Sequence, residues 1–454
     1  MKRGDILTGT VGETTFPNHG SIKVDDTEIK VKGVLPGQTV EVRIKRSSKE
    51  KAEGILCRVT EPSPIETERP RCPQFGICGS CTMQTVPYEE QLKLKESHIR
   101  KLLTPAVRNP EECEWSPIAA SPECYEYRNK MEFTFGDEYR DGPMTLGQHR
   151  KGSMYDLVSA DCCALVDEDI RMIVRETLAY AKENNLTFYH KMRREGFLRH
   201  LLVRKAKNTG EILVDIITTT QIAHDFGPWA SRIAALPFTG ALRGVLHTNN
   251  DSFSDTVVNE GTETLYGQNY ITEELLGLRF RISAFSFFQT NSQGAEVLYS
   301  KVREMILARS QGQVVFDLYS GTGTIGQLLA PVAKRVIGIE IIEEAVAAAV
   351  ENAAMNGLPN CEFIAGDVLK KLDDVAEKPD MIVLDPPREG VNPKALRKIL
   401  DYGVESMVYI SCKPTSLVND LEAIQNAGYR VVRIQPVDLF PQVPHVETVC
   451  LLSK

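Results

Sequence analysis

The segment from residue 314 to residue 326 constrains the fold more than any other stretch of the chain. It reads V-V-F-D-L-Y-S-G-T-G-T-I-G, an apolar strand followed by a glycine-rich turn and the beginning of a helix. Glycines in such a turn allow a ligand to approach the backbone closely. A second apolar strand at residues 335–340 ends in Glu340. Two apolar strands joined by a helix predict a doubly wound parallel sheet that binds a nucleotide-like ligand at its strand ends.

The whole chain divides into three predicted domains. Short strands separated by Pro/Gly turns predict an OB-type β-barrel over residues 1–62. Residues 63–285 predict a mixed, strand-rich central domain with an amphipathic helix at 88–103, which we expect to pack on the last domain. Strands that alternate with longer helices over residues 286–454 predict a Rossmann-like α/β domain. The expected fold class is therefore α/β, with a barrel and a central domain added.

Composition limits the class of protein. The chain has 454 residues, a formal net charge of -8 and eleven unevenly spaced cysteines, an odd number that argues against a fully paired disulfide framework. It shows no apolar leader and no run of membrane-spanning length, so we expect a cytoplasmic protein without membrane contact. Residues 1–60 carry eleven Lys and Arg against eight Asp and Glu, a net +3. Nucleic-acid binding would therefore depend on local charge.

The glycine-rich turn supplies candidate ligands for a cofactor. We assign Tyr319, Gly321, Gly323 and Thr324 to this role, and Glu340 can accept hydrogen bonds from both hydroxyls of a ribose. NAD is the natural competitor for such a turn. The D-L-Y-S-G-T-G form resembles methyltransferase motif I more than the G-x-G-x-x-G pattern. This favours S-adenosylmethionine.

Two aspartates follow later strands of the same predicted sheet. Asp367 comes after the third strand, where an acidic side chain would lie near an adenine, but an Asp at such a turn also commonly caps the next helix. Asp385 ends the fourth strand in I-V-L-D-P-P-R, at the expected active-site edge. Arg388 stands where adenine-amino methyltransferases typically have an aromatic residue, which argues against that specificity.

A cysteine and a carboxylate are suited to covalent catalysis. Cys412 follows a buried strand and lies at a turn on the same edge as the cofactor loop. A thiolate that adds to carbon 6 of a uracil makes carbon 5 nucleophilic, and a base must later remove the carbon 5 proton. Glu447 in H-V-E-T is the candidate base, with Asp385 as its competitor. The alternative for Cys412 is a small buried core residue.

Four motifs together carry a family resemblance. They are I-S-C-K-P-T-S-L at 410–417, H-V-E-T at 445–448, D-L-Y-S-G-T-G at 317–323 and F-F-Q-T-N at 287–291. These motifs resemble those of the RNA uracil-5-methyltransferase family, across the whole predicted catalytic domain. Residues 1–62 resemble a TRAM domain, the RNA-binding barrel that accompanies some RNA-modifying enzymes.

The resemblance implies a role for each candidate residue. Cys412 is the expected nucleophile and Glu447 the expected base. Five further residues are expected around the cofactor and the target base: Gln289, Tyr319, Glu340, Asp367 and Asp385. Lys413 and Thr324 depart from the family pattern, which usually has asparagine at both positions.

A group of cysteines predicts a metal centre. Cys72, Cys78 and Cys81 lie within one short loop, and closely spaced ligands cost little chain entropy when a metal binds. Similarity to the iron-sulfur branch of the family implies a [4Fe-4S] cluster completed by a distant cysteine, Cys163 rather than Cys162. Four thiolates would also suit zinc, and unligated buried cysteines are the third reading. Methyl transfer consumes no electrons, so the expected role is structural or RNA-positioning.

The resemblance also implies an RNA partner. Structured RNA is the expected substrate, with 23S ribosomal RNA favoured by the barrel and the cysteine group, and transfer RNA as the alternative. Residues 127–130, 149–151 and 199–200 combine basic and aromatic groups suited to RNA, although solvated strand faces explain each of them equally well. The rival interpretations are an RNA cytosine-5 or adenine-N6 methyltransferase and a noncatalytic RNA-binding protein. No protein partner is implied.

Overall fold

The computed structural model describes residues 1–48, 51–254, 256–308 and 313–454. In these ranges the strands form a five-stranded, a seven-stranded, a two-stranded and an eight-stranded sheet. None of the helices in the described ranges combines the length and the apolarity needed to cross a lipid bilayer. The expected mixed α/β class is confirmed.

The first sheet curls into a small barrel. Its strands are β1 (Ile6–Thr10), β2 (His19–Val24), β3 (Thr27–Lys32), β4 (Thr39–Ser47) and β5 (Lys51–Glu61). They are ordered β1-β4-β5-β3-β2, and a bridge between Val11 and Ile22 connects the two outer strands. Alternate apolar side chains such as Val40, Val42 and Ile44 fill the interior, as the period of two in a strand requires. This order matches the expected OB-type barrel.

A helix and a short strand follow the barrel. They are α1 (Tyr88–Leu103) and β6 (Glu114–Trp115), and the helix has the predicted bounds. Glu89 and Glu90 occupy its first turn, and Arg100 and Lys101 its last. This charge distribution complements the helix dipole and stabilises both ends.

The second sheet has seven strands in the order β13-β12-β11-β10-β7-β8-β9, with helices on one face. A separate hairpin follows it. The elements are β7 (Lys130–Asp137), β8 (Met144–His149), β9 (Leu157–Ser159), α2 (Glu168–Glu183), β10 (Leu198–Lys205), β11 (Glu211–Thr218), α3 (Gly227–Ala234), β12 (Ala241–Asn249), β13 (Thr262–Gly267), and the hairpin strands β14 (Tyr270–Leu275) and β15 (Leu278–Ser283).

The last part of the chain alternates strands and helices, as predicted. Its elements are α4 (Ser292–Leu307), β16 (Val314–Leu318), α5 (Thr324–Leu329), β17 (Arg335–Glu340), α6 (Glu343–Met355), β18 (Cys361–Ala365), α7 (Val368–Lys371), β19 (Met381–Leu384), α8 (Pro393–Asp401), β20 (Ser406–Ser411), α9 (Pro414–Asn426), β21 (Arg430–Val437) and β22 (Glu447–Ser453). Strands β16 and β20 are buried along their whole length, which is typical of a sheet covered on both faces.

The eight-stranded sheet has the order β18-β17-β16-β19-β20-β22-β21-β6. The chain moves outward from β16 to β18 and then returns to β19 on the other side of β16. This reversal creates a topological switch point between β16 and β19, where doubly wound sheets bind ligands. Strand β22 is antiparallel to both its neighbours. The outermost strand, β6, comes from the part of the chain before the second sheet.

Helices cover both faces of this sheet. One face packs against α1, α8 and α9, through residues such as Ile99, Leu396 and Leu421. The other face packs against α4 and α5, and it shares its core with Leu202 of β10. A buried ion pair between Lys95 in α1 and Asp438 after β21, with Nζ and Oδ1 2.7 Å apart, adds a polar link to the first face. Helix α1, which we expected to pack on the last domain, lies on this sheet.

Candidate active site

The glycine-rich turn after β16 adopts a left-handed backbone. Tyr319, Gly321 and Gly323 have φ angles of 66°, 54° and 70°, in the region that favours glycine. A Cβ on Gly323 would lie 2.6 Å from the ring of Phe363, whereas a Cβ on Gly321 would meet only Phe287, at 4.0 Å. Gly323 therefore permits close packing of the turn against β18, and Gly321 presents open backbone to a ligand.

Glu340 lies beside this turn, at the end of β17. Its Oε2 accepts a hydrogen bond from the N–H of Gly321, and its Oε1 accepts one from the N–H of Ile342, both at 3.0 Å. A carboxylate offers about four lone-pair positions. The two backbone donors therefore fix its orientation and leave capacity for the two hydroxyls of a ribose.

Asp367 and Thr324 both have structural contacts. Asp367 Oδ1 accepts a hydrogen bond of 2.9 Å from the N–H of Leu369 and caps α7, which is the alternative considered for this residue. Burial raises the pKa of Tyr319 to about 12, and the nearby Asp367 contributes. Thr324 is buried at the start of α5, with its Oγ1 3.3 Å from Thr322 Oγ1. Their cofactor roles stay predictions.

Asp317 is a buried carboxyl group to which the sequence analysis gave no role. It has no exposed surface, and its Oδ2 accepts a hydrogen bond of 2.8 Å from the N–H of Gly326. Burial raises its pKa to about 7, with a further contribution from Glu340. The side chain ties β16 to the first turn of α5. An acidic residue inside the apolar strand V-V-F-D-L is the signal that could have revealed it.

Cys412 and Glu447 meet at the end of the ladder between β20 and β22. This antiparallel ladder pairs Ser411 with Thr448. Cys412 is the next residue after Ser411, and Glu447 is the residue before Thr448, so the two lie across from each other. Opposed residues of an antiparallel pair have Cβ atoms about 5 Å apart on one face. The fold thus joins two groups that are distant in the sequence.

These side chains influence each other's ionisation. Burial raises the pKa of the Cys412 thiol to about 11; Glu447 and Asp385 add to the rise, and Arg388 opposes it. Burial, with Asp385 second, raises the pKa of Glu447 to about 8. Burial also raises the pKa of Asp385 to about 7. A thiol, two carboxyls and a guanidinium therefore share one environment at the end of β19 and β20.

Gln289 is held in place from the central sheet. Asn129 Nδ2 donates to the Gln289 carbonyl oxygen and to Ser292 Oγ, both at 2.8 Å. The Asn129 N–H also donates to the carbonyl oxygen of Thr290, at 2.9 Å. Asn129 itself is buried. In the sequence Asn129 stands within the basic stretch 127–130, and nothing in that stretch indicates contact with Gln289.

Tyr299 on α4 is a buried phenol that the sequence analysis missed. Burial raises its pKa well above the usual value, the Asp385 and Glu447 charges add to the rise, and a hydrogen bond with Gln289 opposes it. The phenol is therefore hydrogen-bonded to Gln289 and lies close enough to the two carboxyls for their charges to affect its pKa. Its place among the apolar residues of an amphipathic helix gives no signal of this role.

The predicted metal ligands lie together. Cys72, Cys78, Cys81 and Cys163 line one pocket, whereas Cys162 does not contribute to its wall. Burial raises the pKa of the Cys81 thiol to about 12, and charge on the other three thiols would raise it further. Across the described residues, no three His, Cys, Asp or Glu side chains are arranged closely enough to hold a metal ion as they stand. The bound metal stays a prediction.

The loop that carries Cys72, Cys78 and Cys81, here called the cysteine loop, is bonded on two sides. The N–H of Lys151, after β8, donates to the carbonyl oxygen of Ile77 at 2.7 Å. The N–H of Thr82 donates to the carbonyl oxygen of Gln442 at 3.0 Å, just before H-V-E-T. The cysteine loop therefore bridges the central sheet and the segment that leads to Glu447.

The profile of the tRNA (Uracil-5-)-methyltransferase family matches residues 87–454. The chain belongs to this family. The match includes α1, the central sheet and the complete eight-stranded sheet. The expected resemblance to RNA uracil-5-methyltransferases is thereby confirmed.

Relatives of similar length agree with this assignment. An uncharacterized RNA methyltransferase of Caldanaerobacter subterraneus subsp. tengcongensis is 50% identical, with 100% of both chains covered. One from Halalkalibacterium halodurans is 31% identical, covering 100% of this chain and 98% of the relative. The tRNA (uracil-54, C5)-methyltransferase of Pyrococcus abyssi, solved in complex with S-adenosyl-L-homocysteine, has a TM-score of 0.75 at 24% identity, covering 98% of this chain and 100% of that one. This last similarity shows a shared fold.

Membership in this RNA methyltransferase family makes S-adenosylmethionine the methyl donor. The residues present fit that molecule. Gly321 offers open backbone, and Glu340 is oriented with spare acceptor capacity for ribose hydroxyls. Gly321 follows β16, which borders the switch point of the sheet, and Glu340 ends the neighbouring strand β17; a ligand of this kind is expected at these strand ends.

Proposed function

We propose that this protein methylates carbon 5 of a uridine in structured RNA, with Cys412 as covalent nucleophile and Glu447 as base. The pairing of Ser411 with Thr448 carries the proposal, because it sets a thiol against a buried carboxyl at the cofactor edge. The two groups must act on neighbouring carbons of one ring. Their opposition across two strands supplies that arrangement.

Cys412 begins the reaction. Its thiolate adds to carbon 6 of the uracil, removes the 5,6 double bond and leaves an enolate whose carbon 5 is nucleophilic. With a pKa of about 11, the thiol is protonated in the free protein at neutral pH. Positive charge near the sulfur favours the thiolate, and Arg388 supplies such a charge. S-adenosylmethionine, when bound, supplies the electrophilic methyl group.

Glu447 completes the reaction. It removes the proton from carbon 5 of the methylated ring, the electron pair restores the double bond, and the Cys412 thiolate leaves. A base works best when its pKa lies near the working pH, and burial brings the pKa of Glu447 to about 8. Asp385 contributes to that rise, so we assign it to tuning the base at the cofactor edge.

The remaining side chains hold the cofactor and the target base. Gly321 and Gly323 shape the turn, and Glu340 takes the ribose hydroxyls. Gln289 lies with Tyr299 beside the two carboxyls, which suits contact with the flipped uracil. The other proposed cofactor contacts are Tyr319, Thr324, Asp367 and Asp385.

A [4Fe-4S] cluster bound by Cys72, Cys78, Cys81 and Cys163 is the second part of the proposal. It is supported by the gathering of the four thiols around one pocket with apolar residues in its wall. The cluster would have a structural role, because it would fix the loop that bridges the central sheet and the segment before Glu447. Anaerobically purified protein should contain about four iron and about four sulfide per chain. A measured content of one zinc per chain, without iron, would overturn the iron-sulfur assignment and indicate a zinc site.

For the RNA substrate we favour 23S ribosomal RNA, with transfer RNA as the second candidate. The barrel and the cysteine group support the first, through the resemblance of this combination to enzymes of ribosomal RNA. The full-length similarity of fold to a tRNA methyltransferase supports the second. A target uridine in either RNA must leave its stack to reach Cys412.

Accessory domains would hold the RNA around that uridine. We assign this role to a TRAM-like barrel at 1–62 and to the central region at 63–285, with catalysis in 286–454. The net +3 of residues 1–60 supports the barrel as an RNA contact. The reaction would take place in the cytoplasm.

The test uses RNA containing 5-fluorouridine. Fluorine at carbon 5 cannot leave as a proton, so the enzyme should remain covalently attached through Cys412 when the methyl donor is present. Denaturing gels and mass spectrometry of the adduct measure this, and mapping 5-methyluridine in ribosomal and transfer RNA of a deletion strain identifies the substrate. Absence of capture, or unchanged 5-methyluridine in both RNAs, overturns the proposal.

A further inference from the structure

An exposed apolar surface lies on loops of the central sheet, outside the residues assigned to catalysis. Met154, Tyr155, Met192 and Phe253 have 76%, 58%, 72% and 73% of their surface exposed. We call this group the loop surface. Single exposed apolar residues are common, but a contiguous group of large ones marks an interaction site.

These residues belong to segments that are distant in the sequence, and side-chain contacts bring the segments together. Tyr155 Oη donates to Met192 Sδ at 3.6 Å. Two residues after Met192, the guanidinium of Arg194 lies 4.4 Å from the ring centroid of Phe253. Three loops therefore meet in one surface, and an arginine already lies over one of its aromatic rings.

The three loops that form the loop surface are less acidic than the chain as a whole. Residues 150–156, 190–195 and 251–255 together carry five Lys and Arg against four Asp and Glu, a net +1 in a chain of net charge -8. An ion pair between Arg193 and Asp141, with 3.8 Å between nitrogen and oxygen, is largely exposed and therefore weak. Arg and Lys side chains beside exposed aromatic rings are suited to a single-stranded nucleic acid, because the rings can stack on bases while the cations contact phosphates.

We propose that the loop surface binds single-stranded nucleotides adjacent to the target uridine. Tyr155 and Phe253 would stack on bases, with Arg194 extending the stacking plane, and the surrounding Lys and Arg would contact phosphates. Stacking of this kind accepts any base, because every base has a flat face. The inference rests on the proposed function, since it assumes that RNA is the substrate.

Backbone hydrogen bonds connect the loop surface with the catalytic edge. Lys151, in the loop that carries Tyr155, is bonded to Ile77 of the cysteine loop. The same cysteine loop is bonded through Thr82 to Gln442, before Glu447. The cysteine loop therefore links the loop surface to the segment that leads to Glu447, so a nucleotide held on the surface would help to bring the same RNA to the catalytic edge.

The experiment compares the double variant Tyr155→Ala/Phe253→Ala with Tyr266→Ala. Tyr266 is an exposed tyrosine on β13, at the outer edge of the same sheet, and serves as the matched control. The probes are a fluorescein-labelled single-stranded oligouridine and an RNA duplex of equal length, measured by anisotropy. Methylation kinetics on the RNA substrate are measured in parallel, and circular dichroism verifies that each variant is folded.

The double variant should bind the single strand about tenfold more weakly and raise KM for RNA by a similar factor. Its kcat at saturating RNA and its affinity for the duplex should stay within about twofold of wild type, as should all values for Tyr266→Ala. Unchanged single-strand affinity overturns the inference, as does an equal loss in the control. Unchanged RNA binding with loss of self-association in sedimentation would assign the surface to a protein contact. A wild type that binds RNA but forms no 5-methyluridine rejects the proposed function instead.

Discussion

Cys412 faces Glu447 one residue beyond Ser411 and Thr448, the last pair of the β20–β22 ladder, so one pair of strands positions both the proposed nucleophile and the proposed base. Glu447→Gln keeps the shape of the side chain and removes its ability to take a proton. Methylated RNA should therefore stay attached to Cys412, with product release at least about 100-fold slower. Denaturing gels with a radiolabelled methyl donor measure the trapped complex.

Cys412→Ala should give neither complex nor product. Cys57→Ala is the matched control, because Cys57 is an exposed free cysteine of the barrel, and it should behave as wild type. Normal turnover by either the Cys412 or the Glu447 variant would falsify the assignment.

The buried carboxyls predict how stability depends on pH. Burial raises the pKa of Glu447 from 4.5 to about 8 and that of Asp385 from 3.8 to about 7. Between its ordinary pKa and its raised pKa, each carboxyl is protonated in the folded chain and ionised in the unfolded chain. The stability that the two groups contribute is therefore present in full below about pH 4 and is lost as the pH rises through about 7 to 8. The urea midpoint should therefore be lower at about pH 8.5 than at about pH 6. Glu447→Gln should reduce that difference; an unchanged difference would remove Glu447 as a contributor.

Gly323→Ala tests the close packing of the cofactor turn. The new methyl group would lie 2.6 Å from the Phe363 ring at a φ of 70°. Overpacking costs about 1–3 kcal/mol, beyond the cost of the left-handed backbone, and it should shift the turn that binds S-adenosylmethionine. Gly357→Ala is the matched control, with a φ of 64° and no atom within 4 Å of the added Cβ. Chemical unfolding and calorimetric binding of the donor measure both effects, and equal losses in the two variants would contradict the packing argument.

Lys95→Met tests the buried link between α1 and the catalytic sheet. The substitution leaves Asp438 buried without its cation, and loss of one partner of a buried pair costs about 3–5 kcal/mol. Lys93→Met on the same helix removes an exposed pair with Glu90 and should cost less than about 1 kcal/mol. The free energy of unfolding in urea distinguishes them. Equal effects would show that α1 is not held by the ion pair.

Asn129→Ala tests whether the central sheet positions Gln289. Two donated side-chain hydrogen bonds are lost, to the Gln289 carbonyl oxygen and to Ser292, so we expect a loss of about 1–3 kcal/mol in stability. Loosening Gln289 should also lower kcat about tenfold, since a small displacement at an active site is costly. Asn208→Ala also removes side-chain bonds, to Glu274 and Glu296, without touching Gln289. If both variants keep kcat, Asn129 has only a structural role.

The local sequence pattern correctly predicted strands and turns between residues 286 and 454. It did not predict contacts between segments that are distant in the sequence. The strand from Arg335 to Glu340 and helix α1 have the predicted bounds, because periodicity and terminal signals are local properties. The contact between Asn129 and Gln289, and that between Tyr299 and Gln289, join segments whose proximity depends on how sheets and helices pack. Asn129 stands in a basic stretch and Tyr299 on the apolar face of a helix, and neither local pattern indicates a partner that is distant in the sequence.

The outermost strand of the eight-stranded sheet comes from far upstream, where Glu114 and Trp115 pair with Arg433 and Ile434. An expressed fragment of residues 286–454 would contain every side chain of the catalytic edge but would lack this cover. Its bare β21 edge would offer unpaired N–H and C=O groups to other copies. Such a fragment should self-associate, so dissection of the enzyme has to begin upstream of Glu114.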